Sequence, residues 1–471
     1  MSAFRFGLLA TSCRKKLFAT PPFKRFFRDH WHFHDKGGFY GGGGGLAGVM
    51  DRKEIVLKKC NELRIEVDIG KHLHATLKRG EAEIFGAELG LGERVTIKGD
   101  KVAIFTYNGC TLEVEGQAEI LYVSEETPMQ YFLNTHHVLE NRRREAKEKG
   151  GEGPRVVVVG PTDSGKSTLC KILMNYAIRM EWAPVYVDMD IGQGSIAPPG
   201  TIAATPVQLP VTVDEGYPLD VPLVYFHGHT TPSHNPHSYK HLVERMGALL
   251  DKRAQKVESA AAAGMFINTM GWVEDLGYDL LLHTVQTLKA DIILIVGQER
   301  LYSRLMADVK KGCNPEATLI RLPKSGGVVT RSRELRIAAR ANRVRDYFYG
   351  INRDLMPHSE TSPVSDLQIY RVGAAQRAPS SALPIGAASS QDPLRLHPVT
   401  INNEIFNCLL AVSHAKMVSE VLSMSIAGFI YVQSVDLDED ENGTVTYLSP
   451  GPGKLPGRFL LMGSIEILNF S

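Results

Sequence analysis

A glycine-rich segment, GPTDSGKST at positions 160–168, has residue types and a spacing that can bind phosphate. The apolar run RVVVV precedes it and a helical stretch follows, and this context argues against a chance match in a surface loop. Its glycines let backbone N–H groups turn toward phosphate oxygens, and the helix N-terminus adds a favourable dipole. Lys166 is expected to reach the β- and γ-phosphates, and the Ser167 hydroxyl to bind Mg²⁺. The other expected nucleotide contacts in the loop are Asp163, Ser164, Gly165 and Thr168.

Two carboxylates end the next predicted strand, PVYVDMD at 184–190. Asp188 and Asp190 would project from one face of that strand, at the edge where open α/β sheets bind ligands. One of them can hold Mg²⁺, and one can accept a proton from an attacking hydroxyl group. The alternative is a pair of solvated turn residues. A hydrolase would also need a residue that positions water, for which Gln193 is the candidate.

Trp272 lies in the loop after another predicted strand, GMFIN at 264–268, and therefore near the same edge of the sheet. A tryptophan in that place can stack on a nucleobase of any sequence, because every base has a π-face. The same tryptophan can instead be packed in the hydrophobic core, and the sequence does not separate the two interpretations.

Four histidines stand close together in HGHTTPSHNPHSY at 227–239. A metal site is one interpretation, but no cysteine or nearby acidic residue completes a zinc shell. We therefore favour a proline-rich loop that brings Thr230 and Thr231 to the substrate side.

An arginine-rich stretch, RSRELRIAARANRVRDYF, begins at Arg331 and has helical periodicity. The arginines on one stripe of this helix are Arg333, Arg336, Arg340 and Arg343. The apolar residues expected to be buried on its remaining surface are Leu335, Ile337, Ala338, Ala341 and Val344. Such a stripe can clamp triphosphate oxygens, and the preceding KSGGVV indicates the glycine hinge of a mobile lid. A nucleic-acid backbone site and a solvated basic face are the alternatives.

The elements that must position these side chains change along the sequence. Alternation in ELRIEVDI, with Leu63 and Ile65 apolar and Arg64 and Glu66 polar, is typical of a half-buried strand. Residues 55–125 repeat it, which predicts a small antiparallel β domain. A charged helix is predicted over 139–150. Apolar strands then alternate with helices, which predicts a parallel sheet covered on both faces. These strands are expected at 155–159, 184–190, 222–226, 264–268, 291–296 and 318–322.

We divide the chain into domains at 50–140, 141–350 and 351–471, the last containing a Pro/Ser/Ala-rich linker and late strands of unassigned chemistry. Residues 1–49 differ from the rest, since they are low in complexity and carry eight Lys/Arg against two Asp. We interpret them as a disordered or spurious extension, the latter through translation upstream of a start at Met50. An organelle transit segment is the alternative.

Composition excludes several classes of protein. The 471 residues are 43% hydrophobic and 22% charged, which excludes wholesale disorder and a coiled coil. The formal net charge is +1, so any nucleic-acid binding must depend on a local basic patch. No apolar run approaches the roughly 18 residues that cross a bilayer, so we expect no membrane partner. Six scattered cysteines without a CxxC pair argue against a zinc cluster or a disulfide scaffold and fit a reducing compartment.

Six motifs in order resemble those of the polyribonucleotide 5′-hydroxyl kinases of the cleavage-and-polyadenylation factor type. The motifs are GPTDSGKST, DMDIGQGSI, INTMGW, QERLYSRL, LPKSGGVV and DYFYG. The resemblance runs from about Cys60 to Ser471. It implies an α/β fold in which a central P-loop kinase domain with a parallel sheet lies between an N-terminal β-sandwich and a small C-terminal α/β domain.

The resemblance also implies roles for individual residues. Lys166 and Ser167 match the P-loop lysine and the Mg²⁺-binding hydroxyl, and Asp190 matches the catalytic, metal-binding aspartate. Trp272 matches the tryptophan that clasps the RNA end. The matching lid arginines are Arg331, Arg336 and Arg340. The nucleotide base is expected at Glu62 and Lys101, which residue type and spacing alone do not single out. The sequence departs from the family at residues 1–49, which have no counterpart, and at Asp188, where a longer Glu can stand.

The expected function is the ATP- and Mg²⁺-dependent phosphorylation of RNA 5′-hydroxyl ends. By resemblance the protein is nuclear and belongs to the machinery of mRNA 3′-end cleavage and polyadenylation and of tRNA splicing. Its expected partners are RNA, other subunits of the cleavage factor complex and the tRNA splicing endonuclease. The alternative is an ATP-bound scaffold subunit without turnover. A kinase with a small-molecule acceptor is a third candidate, which the Trp272 motif disfavours.

Overall fold

Two facing β-sheets build the N-terminal domain in the computed structural model, which describes residues 48–217, 222–373, 392–438 and 443–467. The strand orders are β1-β8-β3-β6 and β5-β4-β7-β2-β9, with antiparallel pairing. The strands are β1 (Gly48–Leu57), β2 (Glu62–Glu66), β3 (His72–Gly80), β4 (Ala82–Ile84), β5 (Ala87–Leu89), β6 (Arg94–Lys98), β7 (Lys101–Phe105), β8 (Cys110–Ala118) and β9 (Ile120–Ser124). Their apolar faces meet in one core, so the predicted antiparallel β domain is confirmed as a sandwich. Residues 1–47 of the expected extension lie outside the described residues.

Strand β2 departs from the predicted division into one buried and one solvated face. Leu63 and Ile65 are buried as expected, but Glu62 and Arg64 are also buried, with 3% and 8% of their surface exposed. The polar face of β2 is covered because it borders a cavity shared with the central domain. Polar residues on this face therefore line the cavity.

A long helix, α1 (Met129–Lys149), joins the sandwich to the central domain. The helix predicted over 139–150 therefore begins ten residues earlier, and the domain boundary drawn after residue 140 falls inside it. One side of α1 is buried, including Phe132 and Leu139. Arg143 is also buried, and its Nε donates to the carbonyl of Ala263 at 2.9 Å.

The central domain is built on a seven-stranded sheet of order β13-β12-β11-β14-β10-β15-β16 within the described ranges. The strands are β10 (Arg155–Val159), β11 (Val185–Asp188), β12 (Thr201–Pro206), β13 (Leu223–Phe226), β14 (Met265–Asn268), β15 (Ile292–Val296) and β16 (Thr318–Leu322). All six predicted strands are present. The unpredicted strand is β12, which pairs antiparallel with β11 and β13, so the sheet is mixed and not wholly parallel. The helices are α2 (Lys166–Arg179), α3 (Pro236–Lys256), α4 (Glu258–Ala263), α5 (Asp275–Thr287), α6 (Glu299–Asp308) and α7 (Arg333–Tyr349).

Strand β10 shows why a continuous apolar run is a central strand here. Val156 and Val158 pack into the layer on one face of the sheet, and Val157 and Val159 pack into the layer on the other. Because both layers exclude water, every residue of the strand can be apolar. The parallel strands β10, β11 and β14 end at the same edge, so the loops that follow them gather there.

A second seven-stranded sheet forms the C-terminal domain, in the order β17-β22-β21-β20-β23-β18-β19. The strands are β17 (His358–Pro363), β18 (Gln368–Val372), β19 (Leu396–Pro398), β20 (Cys408–Ser413), β21 (Ile426–Leu437), β22 (Gly443–Ser449) and β23 (Phe459–Glu466). Helical structure in the described part of this domain is limited to three-residue 3₁₀ turns, so its α/β character is slight. Most of the predicted linker, 374–391, lies outside the described residues. Across the described ranges, no helix has the length and apolar character needed to span a membrane.

Candidate active site

A cavity of about 1400 Å³ lies between the N-terminal sandwich and the carboxyl edge of the central sheet. Its wall contains the predicted phosphate loop, the loops after β11 and β14, and residues of α7 between 336 and 346. The predicted site residues that line it are Glu62, Lys101, Asp163, Ser164, Gly165, Lys166, Ser167, Thr168, Asp190, Trp272, Arg331, Arg336 and Arg340. Side chains that are far apart in the sequence therefore face one volume.

The P-loop, residues 160–168, connects β10 to α2 as the motif requires. Gly165 precedes α2 with a φ of 90°, a left-handed conformation that side chains disfavour, which explains a glycine there. Lys166 is buried, and its Nζ donates to the carbonyl of Pro161 at 2.9 Å. Burial lowers the pKa of Lys166, and the nearby Asp190 partly opposes that shift. The lysine is therefore held at the cavity wall, next to the open N-terminus of α2.

The polar groups of the loop fit a nucleotide and a magnesium ion. The Ser164 hydroxyl is buried and has no hydrogen-bond partner among the described residues. Ser167 is exposed to the cavity, directly at the start of α2. Free backbone N–H groups at a helix N-terminus attract phosphate, and a hydroxyl together with a carboxylate is a ligand set that Mg²⁺ accepts.

The two aspartates after β11 have different surroundings. Asp188 is 2% exposed, and its carboxylate accepts bonds from the backbone N–H and the hydroxyl of Ser195, at 2.7 and 2.6 Å. Its other oxygen accepts from Asn268 Nδ2 at 3.1 Å and from the Asp190 N–H at 3.2 Å. Asp188 is therefore fully engaged in shaping the loop. The expectation that it shares a strand face with Asp190 is wrong, because β11 ends at Asp188.

Asp190 is the aspartate that faces the cavity. One of its oxygens, Oδ1, accepts from the N–H groups of Gly192 and Gln193, each at 3.0 Å. Burial raises the pKa of Asp190, and the neighbouring charge of Asp188 raises it further, while Lys166 lowers it. A carboxylate with a raised pKa beside a phosphate loop is suited to accept a proton from a substrate.

Trp272 packs closely against Gly277 and is not part of the described hydrophobic core. A Cβ on Gly277 would lie 2.4 Å from Trp272 Cγ, so the absence of a side chain there lets the indole pack on α5. A Cβ on Gly271 would lie 2.4 Å from Thr162 Oγ1, so this loop also contacts the P-loop. The half-buried indole lines the cavity, which favours the stacking interpretation over core packing.

The lid, residues 324–349, lies over the P-loop and is tied to it by Asp163. The Asp163 carboxylate accepts from Arg336 Nη2 at 2.6 Å and from the Arg331 N–H at 2.9 Å. Arg340 lines the cavity and has no hydrogen-bond or ion-pair partner among the described residues, and burial lowers its pKa. Gln193 Nε2 donates to the carbonyl of Arg336 at 3.4 Å, so the expected water-positioning residue contacts the lid.

Most of the predicted burial of α7 is wrong: of the five apolar residues, one is buried, Ala338 and Ala341 are half-buried, and two are exposed. Val344 is fully buried, but Leu335 and Ile337 are 44% and 50% exposed. The reason is that α7 packs only through its C-terminal half, where Tyr347 OH accepts from the Phe429 N–H at 2.9 Å. Its N-terminal half begins at the Ser332 cap, and α7 lines the cavity from residue 336 to residue 346.

The two residues expected to hold the base face the cavity but are paired with protein groups. Glu62 accepts from Arg64 Nε at 2.6 Å and from the Thr127 hydroxyl at 2.7 Å. The ammonium group of Lys101 is paired with Glu66. A nucleotide base would have to exchange with these partners, and their roles stay predictions.

The histidine loop contributes to the cavity through its threonines. Thr230 and Thr231 line it as predicted. His229 lies between the rings of His227 and His234, and burial together with these neighbours lowers its pKa to about 4. In the described part of the chain, no group of three or more His, Cys, Asp or Glu is arranged to hold a metal ion.

Lys171 and Arg64 are charged residues that line the cavity but were not predicted as site residues from the sequence. Lys171 follows Ser167 by four positions on α2, and its Nζ lies 5.5 Å from the centre of the Phe85 ring. The i, i+4 spacing from a P-loop hydroxyl is the signal that could have found it. Arg64 lines the cavity from the other domain, and no sequence spacing relates it to the P-loop.

Family models match most of the chain. The model for the mRNA cleavage and polyadenylation factor CLP1 P-loop matches residues 160–350. The model for the N-terminal beta-sandwich domain of polyadenylation factor matches residues 56–146, and that for the pre-mRNA cleavage complex II protein Clp1 matches residues 355–468. The chain belongs to the Clp1 family.

Individual Clp1 relatives support the same assignment. The protein CLP1 homolog of Arabidopsis thaliana is 43% identical over 433 residues, 90% of this chain and 96% of that protein. The polyribonucleotide 5′-hydroxyl-kinase Clp1 of Homo sapiens is 42% identical over 415 residues, 88% of this chain and 96% of that protein. The solved structure of wild-type Clp1p in complex with Pcf11p has a TM-score of 0.76 at 22% identity, covering 89% of this chain and 99% of that one. That structural likeness establishes the shared Clp1 fold.

Proposed function

We propose that this protein transfers the γ-phosphoryl group of ATP to the 5′-hydroxyl end of RNA. The observation that carries the proposal is that the P-loop lysine Lys166, the carboxylate of Asp190 and the indole of Trp272 face one cavity. A phosphate cradle, a base and a stacking surface are the three parts that such a transfer needs. The names of the mammalian relatives as polyribonucleotide 5′-hydroxyl kinases support the assignment.

The geometry supports a direct, in-line transfer. Asp190 orients the RNA 5′-hydroxyl and accepts its proton as the oxygen bonds to the γ-phosphorus and ADP leaves. Lys166 and the lid arginines stabilise negative charge on the transferring group. Ser167 and Asp190 would hold Mg²⁺, which would further neutralise the phosphate charge. Trp272 would stack on the terminal base and so align the hydroxyl.

The decisive experiment is transfer of labelled γ-phosphate from ATP to 5′-hydroxyl RNA by the full chain. We expect product with the wild-type protein and a loss of at least about 10²-fold in rate for Lys166→Ala, since one charged donor to the transition state is removed. The melting temperature should not fall, because burial already disfavours the lysine charge. Lys149→Ala is the matched control, as Lys149 is an exposed lysine on α1.

A nucleotide-bound scaffold without turnover gives a different result in the same assay. It would bind ATP tightly yet transfer no label to RNA, and Lys166→Ala would change binding alone. A kinase for a small-molecule acceptor would bind ATP and ignore RNA, and Trp272→Ala would leave its turnover unchanged. Comparison of RNA with DNA ends in the same assay defines the acceptor.

We further propose that the protein acts in the nucleus, as a subunit of the mRNA 3′-end cleavage and polyadenylation machinery. The solved structure of Clp1p with Pcf11p supports a partner of that kind. A role in tRNA splicing beside the endonuclease is proposed on the family resemblance. Affinity purification of the full chain from nuclear extract tests both, and recovery of neither set of subunits would refute this assignment.

A further inference from the structure

The glycine pair at the start of the lid forms a closed turn. The Val328 N–H donates to the carbonyl of Ser325 at 3.2 Å, and the Gly327 N–H donates to the Ser325 hydroxyl at 3.2 Å. Neither Gly326 nor Gly327 has a positive φ. Backbone conformation therefore does not explain why both positions lack a side chain.

A close approach by Arg64 explains both glycines. A Cβ built on Gly327 would lie 3.0 Å from Arg64 Nε, and one built on Gly326 would lie 3.1 Å from Arg64 Nη1. The guanidinium group, which belongs to the N-terminal sandwich, thus packs flat on the turn that begins the lid. A planar cation can lie against peptide groups in this way, whereas a lysine ammonium cannot.

Arg64 is itself held rigidly on the sandwich. Its Nε donates to Glu62 Oε1 at 2.6 Å, its Nη1 to Tyr122 OH at 3.2 Å and its Nη2 to the Glu126 carbonyl at 2.8 Å. The three acceptors come from β2, β9 and the segment before α1. Because only 8% of Arg64 is exposed, the guanidinium presents a fixed surface to the turn.

The turn leads directly to the groups that contact the P-loop. Val328 lies against Gly165, where an added Cβ would be 3.0 Å from Val328 Cγ2. Three residues later, the Arg331 N–H reaches the Asp163 carboxylate, which also holds Arg336. A shift of the turn would therefore move Arg331 and Arg336 away from their positions over the P-loop.

We propose that Arg64 is a positioning residue that fastens the first turn of the lid to the N-terminal domain and so places the lid arginines over the P-loop. The sandwich then contributes to turnover through the lid. The catalytic consequence rests on the proposed kinase function, whereas the fastening itself does not.

The test pairs Gly327→Ala with Gly312→Ala in the full chain. The first substitution intrudes on Arg64 without removing its charge, and the second is a control with no atom within 4 Å of the added Cβ. For Gly327→Ala we expect kcat with RNA to fall about 10- to 100-fold with ATP affinity nearly unchanged, because a misplacement of about 1 Å costs on the order of 10²-fold. Backbone amides of 325–340 should exchange faster with solvent deuterium, while Gly312→Ala should match wild type in both measurements.

Arg64→Lys completes a double-mutant cycle. It keeps the positive charge beside Glu62 and loses the planar surface, so it should reproduce the kcat and exchange effects. Adding Gly327→Ala to Arg64→Lys should then cause little further loss, since both act on one contact. Additive effects, or Gly327→Ala behaving like Gly312→Ala, would overturn the proposal. If wild-type protein transfers no phosphate, the kinase function fails, and the exchange comparison still decides the fastening.

Discussion

Asp188 and Asp190 stand two positions apart, yet their environments assign them different tasks. The carboxylate oxygens of Asp188 accept hydrogen bonds from Ser195, from Asn268 and from the loop backbone. Asp190 keeps a carboxylate oxygen toward the cavity and has a raised pKa through burial and the charge of Asp188. The surroundings therefore suit Asp188 to a structural role and Asp190 to accepting a proton.

The raised pKa of Asp190 predicts how the rate depends on pH. As the base, Asp190 must be deprotonated, so kcat/KM should fall on acidification at a higher pH than an ordinary aspartate would give. The lowered pKa of Lys166 should likewise bring the alkaline decline to lower pH than an ordinary lysine. Asp190→Asn should abolish transfer, and it should raise the melting temperature because burial disfavours the aspartate charge in the fold. Activity profiles and thermal melts check this, and a destabilised Asp190→Asn protein would contradict it.

Trp272 yields a second prediction at this scale. If the indole stacks on the terminal base, Trp272→Ala should weaken RNA use by about 1–3 kcal/mol and leave ATP affinity unchanged. Trp182 supplies the control, since its Nε1 donates to Glu140 at 2.7 Å on the helix α1, and it does not line the cavity. RNA titrations and thermal melts separate the outcomes. A large loss of thermal stability without a selective RNA defect would mean that Trp272 is a packing residue.

At the scale of elements, the two ends of helix α7 differ in how they are packed. Its C-terminal half is anchored by Val344 and Phe348, both fully buried. Its N-terminal half carries Arg336 and Arg340 over the cavity, with apolar side chains left exposed on its outer side. An element whose C-terminal end is packed in the core and whose N-terminal end is held over the cavity by polar contacts suits a lid that must admit substrates.

The lid arginines should act on turnover more than on nucleotide affinity. Arg340 lines the cavity without a protein partner among the described residues, so Arg340→Ala should slow transfer by up to about 10³-fold, at the low end of arginine-finger effects. Arg333 is on the same stripe but is exposed and outside the cavity wall, so Arg333→Ala is the control. Single-turnover kinetics with ATP titration measures both. If Arg340→Ala and Arg333→Ala had equal and small effects on the rate, the arginine stripe would be a solvated basic face.

At the scale of the whole molecule, the cavity depends on all three domains. The C-terminal sheet reaches it indirectly, through the histidine loop. The Ser464 N–H donates to the Gly228 carbonyl at 2.8 Å, and the Ser464 hydroxyl lies 2.8 Å from His229 Nδ1. The next residue, Thr230, lines the cavity and packs closely on Gly192. A Cβ added to Gly192 would lie 2.8 Å from the carbonyl oxygen of Thr230.

This interdomain contact predicts an effect at a distance. A Cβ on Gly463 would collide with the carbonyl of Gly228, so Gly463→Ala should destabilise the protein by about 1–3 kcal/mol. It should also raise KM for RNA more than KM for ATP, because the displaced loop carries Thr230. Gly151→Ala is the control, since its Cβ would meet ordinary contact distances. Thermal melts and steady-state kinetics check this, and equal effects on both substrates would contradict it.

Much of the candidate site could be predicted from local sequence. RVVVV followed by GPTDSGKST specifies a strand, a phosphate loop and a helix within one stretch of chain. The position of Lys166 at the start of a helix could therefore be predicted without knowledge of any long-range contact. The six central strands were predictable for the same reason. Strand β12 was not, because its place between β11 and β13, antiparallel to both, depends on pairing across the sheet and not on a local pattern.

The sequence by itself determined the phosphate chemistry, the order of the domains and the family resemblance, since these are written in contiguous motifs. Only the tertiary structure decided which groups meet across domains. Asp163, which is expected to contact nucleotide, is paired with Arg336, and Glu62, which is expected to hold a base, is paired with Arg64. Arg64 itself meets the lid glycines more than 260 positions away. Such contacts depend on how separately folded surfaces pack, and no local spacing in a chain encodes that distance.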